Sequence, residues 1–219
     1  MRELQLLLEK YHSLREETDQ LVLATVIHVA GSSYRRAGAR MLIEASGNWT
    51  GGVSGGCLEG DLLKRAQGVF LSGNKEVVSY DTRDDDPHQI GVGLGCKGLI
   101  YILLEPINCN DSGNYFELLA KGNPERKTQI ITHTLDNRVI SQHLDKLCFE
   151  HGSFETTRIS EDPGLDRTLK ASMVEALQAG QSQLVELSTS SDTFKLFIEI
   201  LAPKRLIYIC GHEYDTIPL

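Results

Sequence analysis

The segment at residues 51–60 reads GGVSGGCLEG, and four of its glycines and a serine precede a predicted helix that starts near Asp61. Because glycine has no Cβ, the backbone of this segment can approach a ligand or another part of the chain closely. The N-terminus of the helix adds N–H donors and a positive dipole end, which together favour bound anions. The spacing is neither GxxxxGK[ST] nor GxGxxG, so the standard nucleotide-binding loops are excluded. A glycine-rich hairpin without a ligand explains the glycines equally well.

Two further segments repeat this combination of glycine and polar side chains. Residues 31–36 read GSSYRR directly after a predicted strand, and their hydroxyls and paired arginines suit a phosphate or another oxyanion. A tight polar turn with a solvated basic pair is the alternative. Residues 91–98 read GVGLGCKG, where Lys97 beside Cys96 favours a thiolate or contact with an anion.

The chain has five cysteines, at positions 57, 96, 109, 148 and 210, without a CxxC pair. Their odd number and wide spacing predict reduced thiols rather than a disulfide framework or a zinc finger. Cys57 lies just before the predicted helix, where a helix N-terminus lowers the pKa of a thiol, although Glu59 and Asp61 oppose this effect. An inert, partly buried Cys57 is the alternative, because most cysteines act as small hydrophobic residues.

Hydrophobic periodicity predicts a chain of mixed strands and helices, which indicates the α/β class with a mixed α+β N-terminal domain. The predicted helices are 2–17, 61–71, 115–121 and 165–179, and the predicted strands are 21–29, 40–45, 77–80, 99–104, 129–134, 184–188, 194–201 and 206–210. The segment PINCNDSG that starts at Pro106 predicts a boundary. We therefore expect domains at 1–106, 107–203 and 204–219.

Size and charge exclude several classes of protein. The longest mostly apolar stretch, residues 21–30, is about half of the roughly 20 residues that a membrane span needs. The N-terminus lacks the apolar core of a signal peptide, so we expect a soluble, cytoplasmic protein. The net charge of −8 argues against general binding of nucleic acid.

The three glycine-rich segments, in this order and spacing, resemble the xanthine dehydrogenase accessory factor family, XdhC/CoxI. Residues 31–41, GSSYRRAGARM, follow the family pattern GSSxRxPGAxM, with Ala37 in place of the proline. Residues 51–59 follow the pattern GGxxGGCLE, and residues 93–105 follow the family's glycine–cysteine–glycine strand entry. The resemblance extends from about Leu21 to Pro106.

This resemblance implies an accessory protein, without catalytic residues, that binds molybdenum cofactor transiently, protects it during sulfuration and delivers it. The implied partners are an apo-enzyme of the xanthine dehydrogenase type and a cysteine desulfurase, and the resemblance is compatible with a homodimer. It leaves open whether Cys57 or Cys96 contacts the metal, so the metal ligands stay unassigned. The implied cofactor-binding residues are Ser32, Ser33, Arg35, Arg36, Gly51, Gly52, Ser54, Gly55, Gly56, Cys57, Cys96 and Lys97.

Family members usually continue into a Rossmann-like domain. Residues 205–219, RLIYICGHEYDTIPL, are similar to the first strand and loop of such a domain, with Glu213 in place of its second glycine. Since the sequence stops where the first helix would begin, we expect a Rossmann-like domain that is cut off. A thiol-dependent or nucleotide-linked oxidoreductase that uses Cys57 is the alternative function, and an interaction module without a ligand is a third.

Overall fold

The computed structural model describes residues 2–83, 97–121, 128–135, 146–150, 162–188 and 193–203. The helices of this part of the chain are α1 (Arg2–Leu14), α2 (Glu59–Ser72), α3 (Tyr115–Lys121) and α4 (Pro163–Ala179). The strands are β1 (Gln20–Gly31), β2 (Arg40–Ile43), β3 (Trp49–Gly51), β4 (Glu76–Asp81), β5 (Gly98–Asn108), β6 (Gln129–Thr134), β7 (Lys146–Glu150), β8 (Gln183–Ser188) and β9 (Thr193–Leu201).

The first sheet is antiparallel and has the strand order β3-β2-β1-β5-β4. Strand β1 lies at its centre, and the unbroken apolar run from Leu21 to Ala24 is buried because the sheet is covered on both faces. A β-bulge between Val26 and His28 shifts the register of β1 against β5. A bulge of this kind redirects the side chains that follow it in the strand.

The second sheet is also antiparallel, with the strand order β7-β6-β9-β8. Its strands come from residues 129–201, so the two sheets are contributed by successive parts of the chain. The side chains of β6 are buried along the whole strand, as expected for a strand with a neighbour on each side and a layer on each face.

The elements form four layers in the order helix, sheet, sheet, helix. Leu62, Ala66 and Val69 of α2 pack on one face of the first sheet. The other face packs on α1 and α3 and, through Ile27 and Leu103, on Phe197 of the second sheet. Helix α4 covers the outer face of the second sheet. The last residues of β1 and β4 and the first residues of β5 lie side by side at one end of the first sheet. The glycine-rich segments meet at this end.

The predicted mixture of helices and strands is confirmed, and the structure adds that both sheets are antiparallel. Most elements agree with the structure to within a few residues; α1 ends at Leu14 rather than at residue 17, and β5 continues through Pro106 to Asn108. Strands β3 and β7 were not predicted. The predicted strand at 206–210, and with it the Rossmann-like start, lies outside the described residues. No helix in the described ranges is long and apolar enough to cross a membrane.

Candidate functional site

The loop before α2 folds around the hydroxyl of Ser54. Its Oγ accepts hydrogen bonds from the N–H groups of Gly56, Cys57 and Leu58 at 3.0, 3.1 and 3.2 Å. The N-cap residue of α2 is Leu58, whose side chain cannot accept a hydrogen bond. Ser54 therefore accepts hydrogen bonds from backbone N–H groups at the start of the helix, which is the usual role of an N-cap side chain. The N–H groups that the sequence suggested for an anion are therefore bonded within the loop.

Glu59 holds Ser54 in place. The Ser54 hydroxyl donates to Glu59 Oε2, and Glu59 Oε1 accepts the N–H groups of Val53 and Ser54 at 3.1 and 2.9 Å. Burial alone raises the pKa of this carboxyl, but the hydrogen bonds from Ser54 outweigh it, and the net pKa lies below the usual value for glutamate. Glu59 is consequently a buried carboxylate at neutral pH that fixes the shape of the loop.

Two glycines permit the close approach of the chain segments at this edge of the sheet. Gly51 has φ +85°, and a Cβ there would lie 2.4 Å from the carbonyl oxygen of Arg40. Gly31 has φ +88°, and a Cβ there would lie 2.6 Å from the carbonyl oxygen of Lys97. Both distances are too short for any side chain, and both φ values lie in the region that favours glycine.

The turn at residues 31–36 is joined to the ends of β4 and β5 by backbone pairing. Ser32 N–H donates to the carbonyl oxygen of Lys97 at 3.0 Å, and Lys97 N–H donates to Ser32 Oγ at 2.9 Å. Thr82 N–H in turn donates to the carbonyl oxygen of Gly98 at 2.8 Å. The described parts of all three sequence motifs therefore lie beside one another.

A pocket of about 240 Å³ opens between the turn and the loop before α2, and we call it the thiol pocket. It is lined by Ser33, Tyr34, Ser54, Gly55, Cys57, Leu58, Thr82 and Ile100. Cys57 is half-buried, and its Sγ lies 3.4 Å from Ser54 Oγ. Tyr34 is 71% exposed, and its ring lies across the backbone of Gly55. The pocket thus combines a soft sulfur donor with a flat aromatic wall.

A second pocket of about 430 Å³, which we call the arginine pocket, also borders the turn. It is lined by Ile27, His28, Val29, Gly31, Ser32, Ser33, Arg35, Arg36, Ala37, Ser182, Gln183 and Leu184. These described lining residues include two arginines and no carboxylate. Arg35 Nη1 lies 3.0 Å from Glu3 Oε2, so an ion pair partly neutralises that arginine. Ser33 lines both pockets.

The predicted cofactor-binding residues fall into four groups in the structure. Ser33, Ser54, Gly55 and Cys57 line the thiol pocket, and Ser32, Ser33, Arg35 and Arg36 line the arginine pocket. Gly51 lines a wide, open groove with Glu3 and Arg35. Gly52, Gly56 and Lys97 shape the surrounding backbone without lining either pocket. Cys96 lies outside the described residues.

Sequence reasoning missed Tyr34, Thr82 and Gln183 as lining residues, and it missed the role of Glu59. An exposed aromatic residue in the otherwise polar segment GSSYRR is the signal that could have identified Tyr34. Thr82 reaches the thiol pocket through strand pairing, and Gln183 reaches the arginine pocket because β8 packs beside β1. No local pattern marks either residue.

The cysteines whose side chains the structure describes, Cys57 and Cys109, are free thiols. Cys109 is buried in the core beside α1 and α3, and burial raises the pKa of its thiol. Within the described ranges, no group of three or more His, Cys, Asp or Glu side chains is arranged to hold a metal ion.

Comparison with known proteins agrees with this arrangement of motifs. The model of the XdhC and CoxI family matches residues 14–81, which include the turn at 31–36 and the loop at 51–60. This part of the chain is similar to the XdhC and CoxI family. The XdhC-type resemblance drawn from the sequence motifs is thereby confirmed.

Two known proteins resemble this chain over most of its length. A protein of Bacillus subtilis (strain 168), named as a probable xanthine dehydrogenase subunit, is 29% identical over 210 residues, which are 94% of this chain and 57% of the relative. The crystal structure of a xanthine dehydrogenase from Bacillus halodurans shares 26% identity with a TM-score of 0.54, and the match covers 90% of this chain and 53% of that one. The chain therefore spans a little over half the length of both relatives.

Proposed function

We propose that this chain is an accessory protein that binds molybdenum cofactor and assists its sulfuration and its insertion into a xanthine dehydrogenase-type enzyme. The names of the two relatives support an association with xanthine dehydrogenase. The observation that carries the proposal is that Ser33 lines both the pocket of the half-buried thiol Cys57 and the pocket that holds two arginines.

The residues present fit such a cofactor, which combines a flat pterin, a phosphate and a dithiolene-bound molybdenum. Cys57 offers a sulfur ligand of the kind that soft metal centres accept. Tyr34 offers an exposed ring for a flat heterocycle. Arg36 and Ser33 offer the donors that bind phosphate. The cofactor supplies the redox-active metal, and the chain's residues bind it, orient it and shield its metal end from solvent.

The proposal includes two partners and no catalytic residue. The apo-enzyme would receive the cofactor, and a cysteine desulfurase would supply sulfur to it. Glu59, the buried carboxylate nearest to Cys57 along the chain, is bonded to Ser54 and to two backbone N–H groups, so it is committed to holding the loop. A holding role for the loop agrees with a protein that binds and transfers a cofactor without converting it.

An anaerobic titration of the chain with isolated molybdenum cofactor tests the proposal. We expect wild type to bind at micromolar concentrations and Cys57→Ala to bind at least about tenfold more weakly, a loss of roughly 1.4 kcal/mol. Cys109→Ala is the matched control because it removes a buried thiol far from both pockets, and it should retain wild-type affinity. Absence of binding by the folded wild-type protein would contradict the proposal.

The thiol oxidoreductase alternative depends on the same Cys57, which is accessible from the thiol pocket. It requires a thiol that is alkylated with a pH midpoint well below the ordinary value of about 8.5. It also requires turnover of a disulfide substrate that is lost in Cys57→Ala. An ordinary alkylation midpoint together with tight cofactor binding would favour the accessory role.

A further inference from the structure

We infer that the Tyr34 side chain is a movable cover over the thiol pocket and that it determines how large a molecule can reach Cys57. Tyr34 is then a specificity-determining residue of this pocket. The inference goes beyond the proposed function, because it applies to any molecule that approaches the thiol and requires no cofactor.

The Tyr34 ring packs face-on against the backbone of Gly55. A Cβ at Gly55 would lie 3.5 Å from Cγ of the ring and 3.7 Å from both Cδ1 and Cδ2. Nearly equal distances of this kind mean that Gly55 lies under the face of the ring rather than beside its edge. Gly55 is close to Cys57 in the chain, and all three residues line the thiol pocket. The ring therefore lies over the segment of the loop that carries the thiol.

The exposed side of the pocket is formed by Tyr34 and Gly55. Tyr34 is 71% exposed, and Gly55 is exposed as well. Leu58 and Ile100, in contrast, are buried and belong to the core between α2 and the first sheet. Cys57 is half-buried, so its exposure lies between these two groups. A molecule that enters from solvent therefore passes Tyr34 on its way to Cys57.

Few contacts hold the Tyr34 side chain. Within the described part of the chain, its hydroxyl makes no hydrogen bond and its ring makes no aromatic contact. The backbone that carries it is fixed, because Ser32 exchanges hydrogen bonds of 3.0 and 2.9 Å with Lys97. Exposed side chains change rotamer on a picosecond to nanosecond timescale. The side chain can therefore move while the turn stays in place.

The volume of the thiol pocket indicates why the ring has to move. With the ring in place the volume is about 240 Å³, which is below the roughly 300–1,000 Å³ of small-molecule sites. Leu58 and Ile100 are packed in the core, and Ser54 is held by hydrogen bonds, so these walls are fixed. Among the described lining residues, Tyr34 is the exposed side chain. Its displacement enlarges the pocket without disturbing the core, and its presence restricts the pocket to small molecules.

Two maleimides with the same reactive group and different sizes test this inference. N-methylmaleimide is small, and N-pyrenylmaleimide carries a large flat ring system. The rate at which each reagent modifies Cys57 is measured by mass spectrometry of the peptide that contains this residue, and it is divided by the rate with free cysteine. We expect the normalised rate of the pyrenyl reagent with wild type to be at least about tenfold below that of the methyl reagent. Because the same thiolate attacks both reagents, the ratio of the two rates measures access to the thiol and not its pKa.

Substitutions of the ring and of the glycine beneath it test the two parts of the cover. Tyr34→Ala should raise the normalised rate of the pyrenyl reagent by about tenfold, whereas Tyr34→Phe retains the ring and should keep the wild-type ratio. Gly55→Ala should lower the rate of the pyrenyl reagent by about threefold, because the added methyl group makes ordinary contact with the ring and restricts its movement. Gly68→Ala is the matched control, since its methyl group meets nothing within 4 Å and Gly68 does not line the pocket.

Modification of the buried Cys109 in the same samples measures global unfolding, and it should stay slow in every variant. Equal normalised rates of the two reagents with wild type would overturn the inference. So would a wild-type ratio in Tyr34→Ala while Cys109 stays protected. Faster modification by the pyrenyl reagent in Gly55→Ala would show that Gly55 does not support the ring, and it would overturn the inference as well. None of these measurements uses molybdenum cofactor, so the proposed function is tested separately.

Discussion

The Ser54 hydroxyl stabilises the glycine-rich loop because it serves three backbone N–H groups and one carboxylate. A loop this rich in glycine has a large conformational entropy in the unfolded chain, so ordering it is costly. Ser54 and Glu59 offset that cost through bonds that lie inside the protein. Cys57 therefore lies on a loop whose backbone is fixed by hydrogen bonds to Ser54 and Glu59. A fixed backbone of this kind is what a ligand-binding residue requires.

Removing this hydroxyl should destabilise the protein. Ser54→Ala leaves three N–H groups and the Glu59 carboxylate without their partner, and we expect the free energy of unfolding to fall by about 1–3 kcal/mol. Urea denaturation measures the change. Ser46→Ala is the matched control, because the Ser46 hydroxyl accepts one long hydrogen bond, from Asn48 N–H in an exposed turn, and should cost less than about 0.5 kcal/mol. Equal small losses in both variants would contradict this role of Ser54.

At the scale of single residues, sequence reasoning found those whose role depends on near neighbours. Ser54 and Cys57 are three residues apart, so a local reading of the loop placed them together. Tyr34 and Cys57 line one pocket only because β1 and the loop before α2 end at the same edge of the sheet. That proximity depends on strand pairing, which no local pattern encodes.

Among the elements, the hairpin of β2 and β3 places the glycine-rich loop. Gly51 is paired with Met41 at the end of β3, and the next N–H, that of Gly52, donates to the carbonyl oxygen of Arg40 at 2.7 Å. The hairpin therefore fixes the position at which the glycine-rich loop begins. Its contact with Arg40 leaves no space for a side chain at position 51.

Gly51→Ala separates the cost of steric overlap from the cost of a positive φ. Gly47 has nearly the same φ, +89°, but a Cβ there meets nothing within 4 Å. We expect Gly47→Ala to lower the free energy of unfolding by about 1–2 kcal/mol, the cost of the left-handed conformation alone. Gly51→Ala should cost at least about 2 kcal/mol more, because Arg40 must move. Thermal and urea unfolding of both variants test this prediction. Equal losses of unfolding free energy in the two variants would show that β2 can move away from a side chain at position 51 without destabilising the protein.

The predicted elements were correct where hydrophobic periodicity was strong. Strand β1 and helices α2 and α4 each have a continuous or amphipathic apolar pattern. Strand β3 spans three residues, Trp49–Gly51, and ends in glycine, so its sequence is typical of a loop. It is a strand because β2 provides a pairing partner. Pairing with β2 therefore determines that these residues form a strand, which their local sequence does not predict.

At the scale of the whole molecule, a buried cluster of charged side chains joins the two sheets. Arg40 of β2 is paired with Glu199 of β9. His133 of β6 has Nδ1 3.4 Å from Glu105 Oε1 on β5 and Nε2 3.4 Å from Glu199 Oε2. The Tyr115 ring lies 4.9 Å from the Arg40 guanidinium. These groups are almost fully buried, so their charges interact through a medium of low dielectric constant.

The charge balance of this cluster depends on His133. Two carboxylates face one guanidinium, so the four charged groups sum to zero only when the imidazole is protonated. Burial alone lowers the pKa of His133, but the neighbouring carboxyl groups of Glu105 and Glu199 outweigh it and raise the net pKa above the usual value. The cluster could not be predicted from the sequence, because its members are distant in the chain and each resembles an ordinary polar residue in a strand.

His133 should make the stability of the protein fall at alkaline pH. Its pKa is raised in the folded protein, so its stabilisation is complete below the unfolded value of about 6.5 and is lost as the pH rises through the folded pKa. We expect the free energy of unfolding of wild type, measured by urea at intervals from pH 5.5 to 9, to fall above about pH 6.5. His133→Gln should be less stable at low pH and lack this part of the fall.

His12→Gln is the matched control, because His12 is exposed on α1 and lies outside the cluster. It should retain the wild-type pH dependence. Glu199→Gln leaves Arg40 buried without its paired carboxylate and should cost about 3–5 kcal/mol at every pH, as expected when one partner of a buried ion pair is removed. A His133→Gln curve parallel to that of wild type would show that the imidazole does not titrate with folding. The Arg40–Glu199 pair and apolar contacts such as those of Phe197 and Ile131 would then join the two sheets.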